Sequence, residues 1–295
     1  MGRALTFGAA ALTCGGLLIG ARTLRASHPA SRLDDASAAV AHAVARTCVH
    51  AVFLGGAAAV VGAGARLVAQ ALAFAADGDA LGPIVWVILR TTWGVMALVQ
   101  ALLGATLCGA ALLARRWTQS ADRLGETQVV YPALALLVVP AFMGHAAADD
   151  FLAVGITVDV LHMAGASTWA GGVALLAWCA VRPLSRPGMA ALITAFHPDA
   201  VAAVTAVVLS GGIAAWRRLP DPLAPLSTPY GQVLALKAAL VLPVLALGWW
   251  NARRGPHAIA RGATPRVARA LALEVALFAA VLGLTAILTG MSPGD

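Results

Sequence analysis

Charge is scarce in this chain. Only 11% of its 295 residues are Asp, Glu, Lys or Arg, while 60% are hydrophobic. Soluble domains carry about a quarter charged residues. With a mean hydropathy of +0.84, a soluble domain of this length has no way to hide its apolar surface, and that class is excluded. Cysteine is sparse as well. Cys14, Cys48, Cys108 and Cys179 are far apart in apolar segments, and no CxxC occurs. This excludes a disulfide framework or a zinc knuckle and leaves buried free thiols. The chain also lacks a P-loop, a GxGxxG behind a strand, a HExxH and a GxSxG. Nothing therefore supports ATP hydrolysis or a nucleophilic triad, and the chain is not read as an enzyme. Any transport step is passive or driven by the membrane potential, which is worth about 2.3 kcal/mol per unit charge at 100 mV and draws cations inward.

What the chain has is apolar runs. A membrane-spanning helix needs roughly 20 apolar residues. Eight stretches qualify: 4–21, 46–65, 93–114, 129–148, 152–180, 200–216, 231–251 and 268–289. The sequence thus predicts an all-α polytopic membrane bundle of about eight helices, forming a single membrane domain over 1–295. The short apolar stretch 81–89 reads as a lead-in to the third helix or as an interfacial segment. "FHPD" at 196–199 reads as a helix start.

Basic residues set the orientation. The odd loops hold Arg22, Arg25, Arg32 and Arg46; Arg115, Arg116 and Arg123; Arg182 and Arg186; and Arg253, Arg254, Arg261, Arg266 and Arg269. Those are 14 of the 20 Lys and Arg. The even loops hold only Arg66, Arg90, Arg217 and Arg218. The odd loops are therefore expected in the cytoplasm and both termini outside. A cleaved signal peptide is the alternative reading of the first segment.

The stretch "VDVLHMAGASTWAGG", 158–172, is unusually polar for its surroundings. Asp159, His162, Ala166 and Trp169 are spaced 3, 4 and 3 apart, which makes one stripe on a helix. Counted from Phe151 at 1.5 Å per residue, Asp159 lies roughly 10 Å deep and His162 about 15 Å. Ionisable groups at such depth are costly unless paired or hydrated, and mark functional sites by default. Just before them, "FMGHAAADD" offers Met143, His145 and Asp149. His145 and Asp149 are i,i+4, and the short connection places the fourth and fifth helices side by side. Met sulfur with His nitrogen suits Cu(I), and carboxylates suit hydrated or oxidised ions. The bland alternatives are that Met143 fills core and that each His only hydrogen-bonds a neighbouring helix.

Lys237 lies at a depth like that of Asp159, and an Asp159–Lys237 pair of mostly structural value is expected. Glu274 is close in depth to Asn251 and Arg253 in the cytoplasmic third, and His50 is also in the inner half. These groups make either a relay across the bilayer or unrelated polar glue between helices. His28, His42, His197 and His257 fall in loops or helix ends and get no role.

Several ordered blocks resemble the copper resistance protein D (CopD) family of bacterial inner-membrane proteins. They are "MGHAA" at 143–147, "DVLHMAGASTWAGGVALL" at 159–176, "VLSGGIAAWRRL" at 208–219, "STPYGQVLALKAALVLPVLALGWWNARR" at 227–254 and "LALEVALFAAVLGLTAILTGMSP" at 271–293. The match is strong over 126–295 and weak over 1–125. The resemblance implies an eight-helix protein that moves copper from the periplasm to the cytoplasm, often beside a soluble periplasmic carrier of the CopC type. By motif position it carries over His145, Asp159, His162, Trp169, Tyr230, Lys237, Asn251 and Glu274. One departure is Met143, where Ser or Thr often precedes the Gly.

The reading is therefore a copper permease of a bacterial cytoplasmic membrane, importing through His145, His162, Asp159, Met143, Asp149 and His50. Lys237, Glu274, Asn251, Trp169 and Tyr230 act as structural polar groups. The rival is a membrane protein binding haem b, because two buried His on different helices are what axial ligation needs. A scaffold without transport of its own is the third reading.

Overall fold

The fold comes from a computed structural model, which describes residues 6–11, 13, 35–75, 80–116, 124–143, 152–182, 185–219, 221 and 226–291. Among these there are helices and no strands. In chain order they are α1 (Asp35–Phe74), α2 (Leu81–Leu89), α3 (Thr92–Arg116), α4 (Leu124–Val138) with a 3-10 turn at Val139–Met143, α5 (Leu152–Ala180), α6 (Arg186–Arg218), α7 (Pro229–Ala260) and α8 (Thr264–Leu288). Six are long and apolar enough to cross a membrane: Val44–Phe74 within α1, Thr92–Ala114 within α3, and all of α5, α6, α7 and α8. The expected first span, 4–21, lies mostly outside the described residues.

Two boundaries differ from expectation. Of the fourth apolar stretch the described residues cover Val129–Met143, where α4 passes into a 3-10 turn that contains Pro140. The second helix runs far past 46–65 at both ends, through alanine-rich flanks with no proline to stop it. The helix expected to begin near "FHPD" begins at Arg186, and Pro198 lies inside it. Its real start is Ser185, whose side chain accepts from the Gly188 N–H at 3.3 Å. Pro198 removes one backbone bond but does not break so long an apolar helix.

The block "STPYG" has a local explanation of the same kind. Thr228 caps α7 by accepting from the Gly231 N–H at 3.1 Å, and Pro229 takes the first helical position, where no N–H is needed. Between α7 and α8 the chain reverses through Gly262, whose φ of +86° favours glycine.

Close helix contacts depend on absent side chains. On α1 and α3, Gly56 and Gly104 face each other; a Cβ on either would stand 2.6 Å from the other's carbonyl oxygen. On α5, a Cβ at Gly165 would lie 2.7 Å from the Ala203 carbonyl of α6. In lipid, where the hydrophobic effect does not drive helices together, such seams let backbones approach and gain dispersion. α5 packs along α6 and also against α8, while α7 packs against α6 and α8.

Large apolar side chains such as Leu54, Leu102, Leu209, Leu242 and Trp249 point outward, as lipid-facing surface requires. Arginines stack on tryptophans near the helix ends: Arg182 on Trp178 and Arg266 on Trp250 at one end, Arg66 on Trp93 and Arg90 on Trp86 at the other. This is the aromatic and basic fringe expected at membrane boundaries.

Candidate functional site

α5 carries the polar stripe, and α6 answers it. Seven residues into α5, Asp159 Oδ1 accepts from Arg218 Nη2 at 2.8 Å. Arg218 occupies the last turn of α6 and reaches back along the helix, its apolar stem covering neighbouring surface. The expected Asp159–Lys237 ion pair is not formed: Lys237 is not within 4.0 Å of the carboxylate, and Arg218 takes its place. The packing gives the reason, since α5 lies along α6 and α8, whereas Lys237 sits on α7.

One turn further on, His162 Nδ1 lies 3.2 Å from Ser210 Oγ. When the Ser210 hydroxyl donates to the Ala206 carbonyl of its own helix, it accepts from Nδ1. In that tautomer Nε2 carries the lone pair, the form of imidazole a metal needs. Gly211 makes room for the ring: a Cβ there would stand 3.2 Å from His162 Cε1. Lys237 and Arg218 are the cations within electrostatic reach of the imidazole.

The remaining expected residues are distributed elsewhere. Met143 Sδ accepts from Arg66 Nη2 at 3.3 Å, and the same guanidinium bonds Gln100 Oε1 and stacks over Trp93. His145 and Asp149 lie outside the described residues. His50 is exposed on α1, with Nδ1 bonded to the Arg46 carbonyl of its own helix at 2.7 Å. Among the described residues no group of three His, Cys, Asp or Glu is arranged to hold a metal ion.

Toward the Arg266 end, Trp169 meets Phe278 edge-on at 4.8 Å. Asn251 Nδ2 donates to Glu274 Oε2 at 2.8 Å, so two residues read as equal in depth are bonded. Tyr230 is buried in the first turn of α7.

Three residues gained roles that the sequence reading withheld. Ser210 and Arg218 partner the stripe, and His197, placed near a helix end, lines a cavity in mid-helix. The signal available for Arg218 was its position. It sits at the end of a helix antiparallel to α5, on the side where Asp159 lies.

Comparison with known proteins points one way. Residues 190–288, which cover most of α6 and all of α7 and α8, match the family model "Copper resistance protein D". A curated relative, "Copper transport protein CutJ" of Bacillus subtilis (strain 168), is 29% identical over 164 residues, 55% of this chain. The aligned part is about 30% of that relative's length. No solved structure matches. Residues 190–288 are thus similar to the copper resistance protein D family, and the six apolar spans among the described residues are those of a multi-pass membrane protein.

Proposed function

We propose that the chain carries copper ions inward across the cytoplasmic membrane, with no chemical transformation, and that His162 is its central copper contact. The observation that supports this best is the Ser210 contact to Nδ1, because in the tautomer where Ser210 accepts, Nε2 of this imidazole keeps its lone pair. The family match over residues 190–288 and the printed name of the relative support copper as the metal.

Asp159 is the accompanying carboxylate, and Arg218 holds it until a cation arrives. Copper and the guanidinium compete for one carboxylate, so entry requires Arg218 to swing aside. Met143, His145 and Asp149 form the approach from outside and His50 lies on the exit side, with the odd loops in the cytoplasm and both termini outside. Delivery by a periplasmic carrier of the CopC type fits this direction.

The test is copper accumulation by cells at equal protein level in the membrane, together with metal analysis and a visible spectrum of the purified protein. His162→Ala is expected to lower accumulation about tenfold, the scale on which one lost ligand weakens a metal site. His257→Ala, an exposed position, is expected to change it little. Unchanged accumulation in His162→Ala, with a Soret band in the parent protein that the variant loses, overturns the transport reading and installs haem b.

A further inference from the structure

A cavity of about 230 Å³ opens between α5, α6, α7 and α8, about seven residues along α5 from His162 and separate from the Asp159–Arg218 pair. Its walls are apolar, with Ile193, Phe196 and Val204 of α6 and Leu245 of α7 among them. Its floor is polar. Glu274, 0% exposed, and Asn251, 4% exposed, meet there beside Trp169. Their mutual bond uses Asn251 Nδ2 and Glu274 Oε2. Asn251 Oδ1 is buried with no hydrogen-bond partner, and Glu274 Oε1 is buried with no hydrogen bond of good geometry, only the Trp169 indole N–H standing close to its carboxylate.

Both atoms are acceptors, and one belongs to an acid. Gly248 keeps the space beside them open, since a Cβ there would stand 3.1 Å from Glu274 Oε1. The mouth lies between Val201 and Thr205 of α6 and Trp249 of α7, all on the outward, lipid-facing surface.

Depth narrows the occupant further. Asn251 is two residues from Arg253, and Glu274 is five from Arg269. Along the helices that is about 3 and 8 Å, so the floor lies just inside the basic boundary where lipid head groups begin. The cavity thus asks for a group that enters from the lipid, is narrow, and donates at least two hydrogen bonds from one atom. A positive charge on that atom would neutralise the carboxylate. A primary ammonium meets each demand, and the aromatic residues Phe196 and Trp249 are among the cavity lining. A quaternary ammonium has no N–H to give, and an anionic head is repelled by Glu274.

We propose that this cavity binds the ethanolamine head of an aminophospholipid, its ammonium donating to Glu274 Oε1 and Asn251 Oδ1. His197, which lines the same cavity on an exposed stretch of α6, stands where the lipid phosphate would pass. The shared chemistry is a primary ammonium on an apolar body, and a free long-chain amine is the other source of it.

The test uses the full-length protein in nanodiscs of phosphatidylcholine doped equally with phosphatidylethanolamine and phosphatidylglycerol, followed by mass spectrometry of the lipids it retains. Phosphatidylethanolamine is expected to be retained about tenfold over phosphatidylcholine, the discrimination one charge-assisted hydrogen bond supplies. Glu274→Gln should erase that preference. Gly248→Ala leaves the carboxylate in place but fills the space beside it, and should reduce the preference even if the first variant folds poorly. Equal retention of the two zwitterionic lipids by the parent protein overturns the proposal, as does a preference that survives both variants. Capture of added dodecylamine without any preference for phosphatidylethanolamine assigns the floor to free amines and overturns the lipid source. None of these readings depends on copper.

Discussion

Two buried side chains, both 0% exposed, show how differently the two ends of this chain use polarity: Gln100 on α3 and Glu274 on α8. Gln100 is fully engaged. Its Nε2 donates to the Ala59 carbonyl at 2.8 Å and to Thr6 Oγ1 at 3.2 Å, and its Oε1 accepts from Arg66. Glu274 is half engaged, with one oxygen bonded to Asn251 and the other facing a cavity. In hydrocarbon an amide that spends every donor and acceptor on neighbouring helices acts as glue. A carboxylate that leaves an oxygen unspent does so at a cost that only a ligand, a proton or a function repays.

The sharpest break in the N-terminal region comes from the seam beneath Gln100. Gly104→Leu should abolish stable protein, because the added carbon stands 2.6 Å from the Gly56 carbonyl, a backbone atom that has no room to move. Yield of monodisperse protein after detergent extraction measures this. A variant that purifies like the parent means that α1 and α3 do not meet at this seam.

A paired substitution then tests glue against site. Gln100→Leu strips a partner from each of Arg66, Thr6 and the Ala59 carbonyl, and should cost about 3 kcal/mol, the low end of one to three per stranded group. Glu274→Leu removes one oxygen without a good partner and strands a single group, Asn251 Nδ2, so it should cost less than Gln100→Leu. Thermal unfolding in phosphatidylcholine nanodiscs compares them. Equal losses would erase the distinction between the two residues.

Much of this was written plainly in the sequence, and the parts that were not share a cause. α5, α7 and α8 follow from apolar runs, and the depth match of Asn251 with Glu274 follows from counting along helices. Depth does not say which helices touch. Asp159 and Lys237 matched in depth, yet α5 packs on α6 and α8, so Arg218 is the partner. Proline misled at 196–199 because its local preference was weighed without the Ser185 cap upstream. His197 was set aside with it, having been placed outside the helix on whose cavity wall it stands. The free space beside Glu274 had no signal beyond Gly248, because one glycine in a helix does not announce what its missing side chain exposes.

The Asp159–Arg218 pair lies between the extremes of Gln100 and Glu274. It is satisfied, but its side chains are 24% and 31% exposed, so solvent at the helix ends screens part of the attraction. Arg218→Ala should therefore cost about 1–2 kcal/mol, below the 3–5 of a fully buried pair. The double variant Asp159→Asn/Arg218→Ala should recover part of that, since no charge is then left alone. A double variant no better than the single one would show that the pair is incidental.

The smallest effect is expected at His50. Its ring is exposed and Nδ1 is bonded to a carbonyl of its own helix one turn back. His50→Ala removes no bond between helices, so stability should change by less than about 0.5 kcal/mol, as for ordinary surface substitutions. The copper readout is the discriminating half. A lipid- or water-facing imidazole contributes at most one exchangeable ligand, so accumulation should fall less than in His162→Ala. If His50→Ala instead matches His162→Ala in loss of accumulation while the protein stays folded, the two imidazoles act on one ion. The uncommitted Nε2 of His162 is then only half of the copper site, and the comparison drawn from Gln100 and Glu274 must extend to a relay across the bilayer.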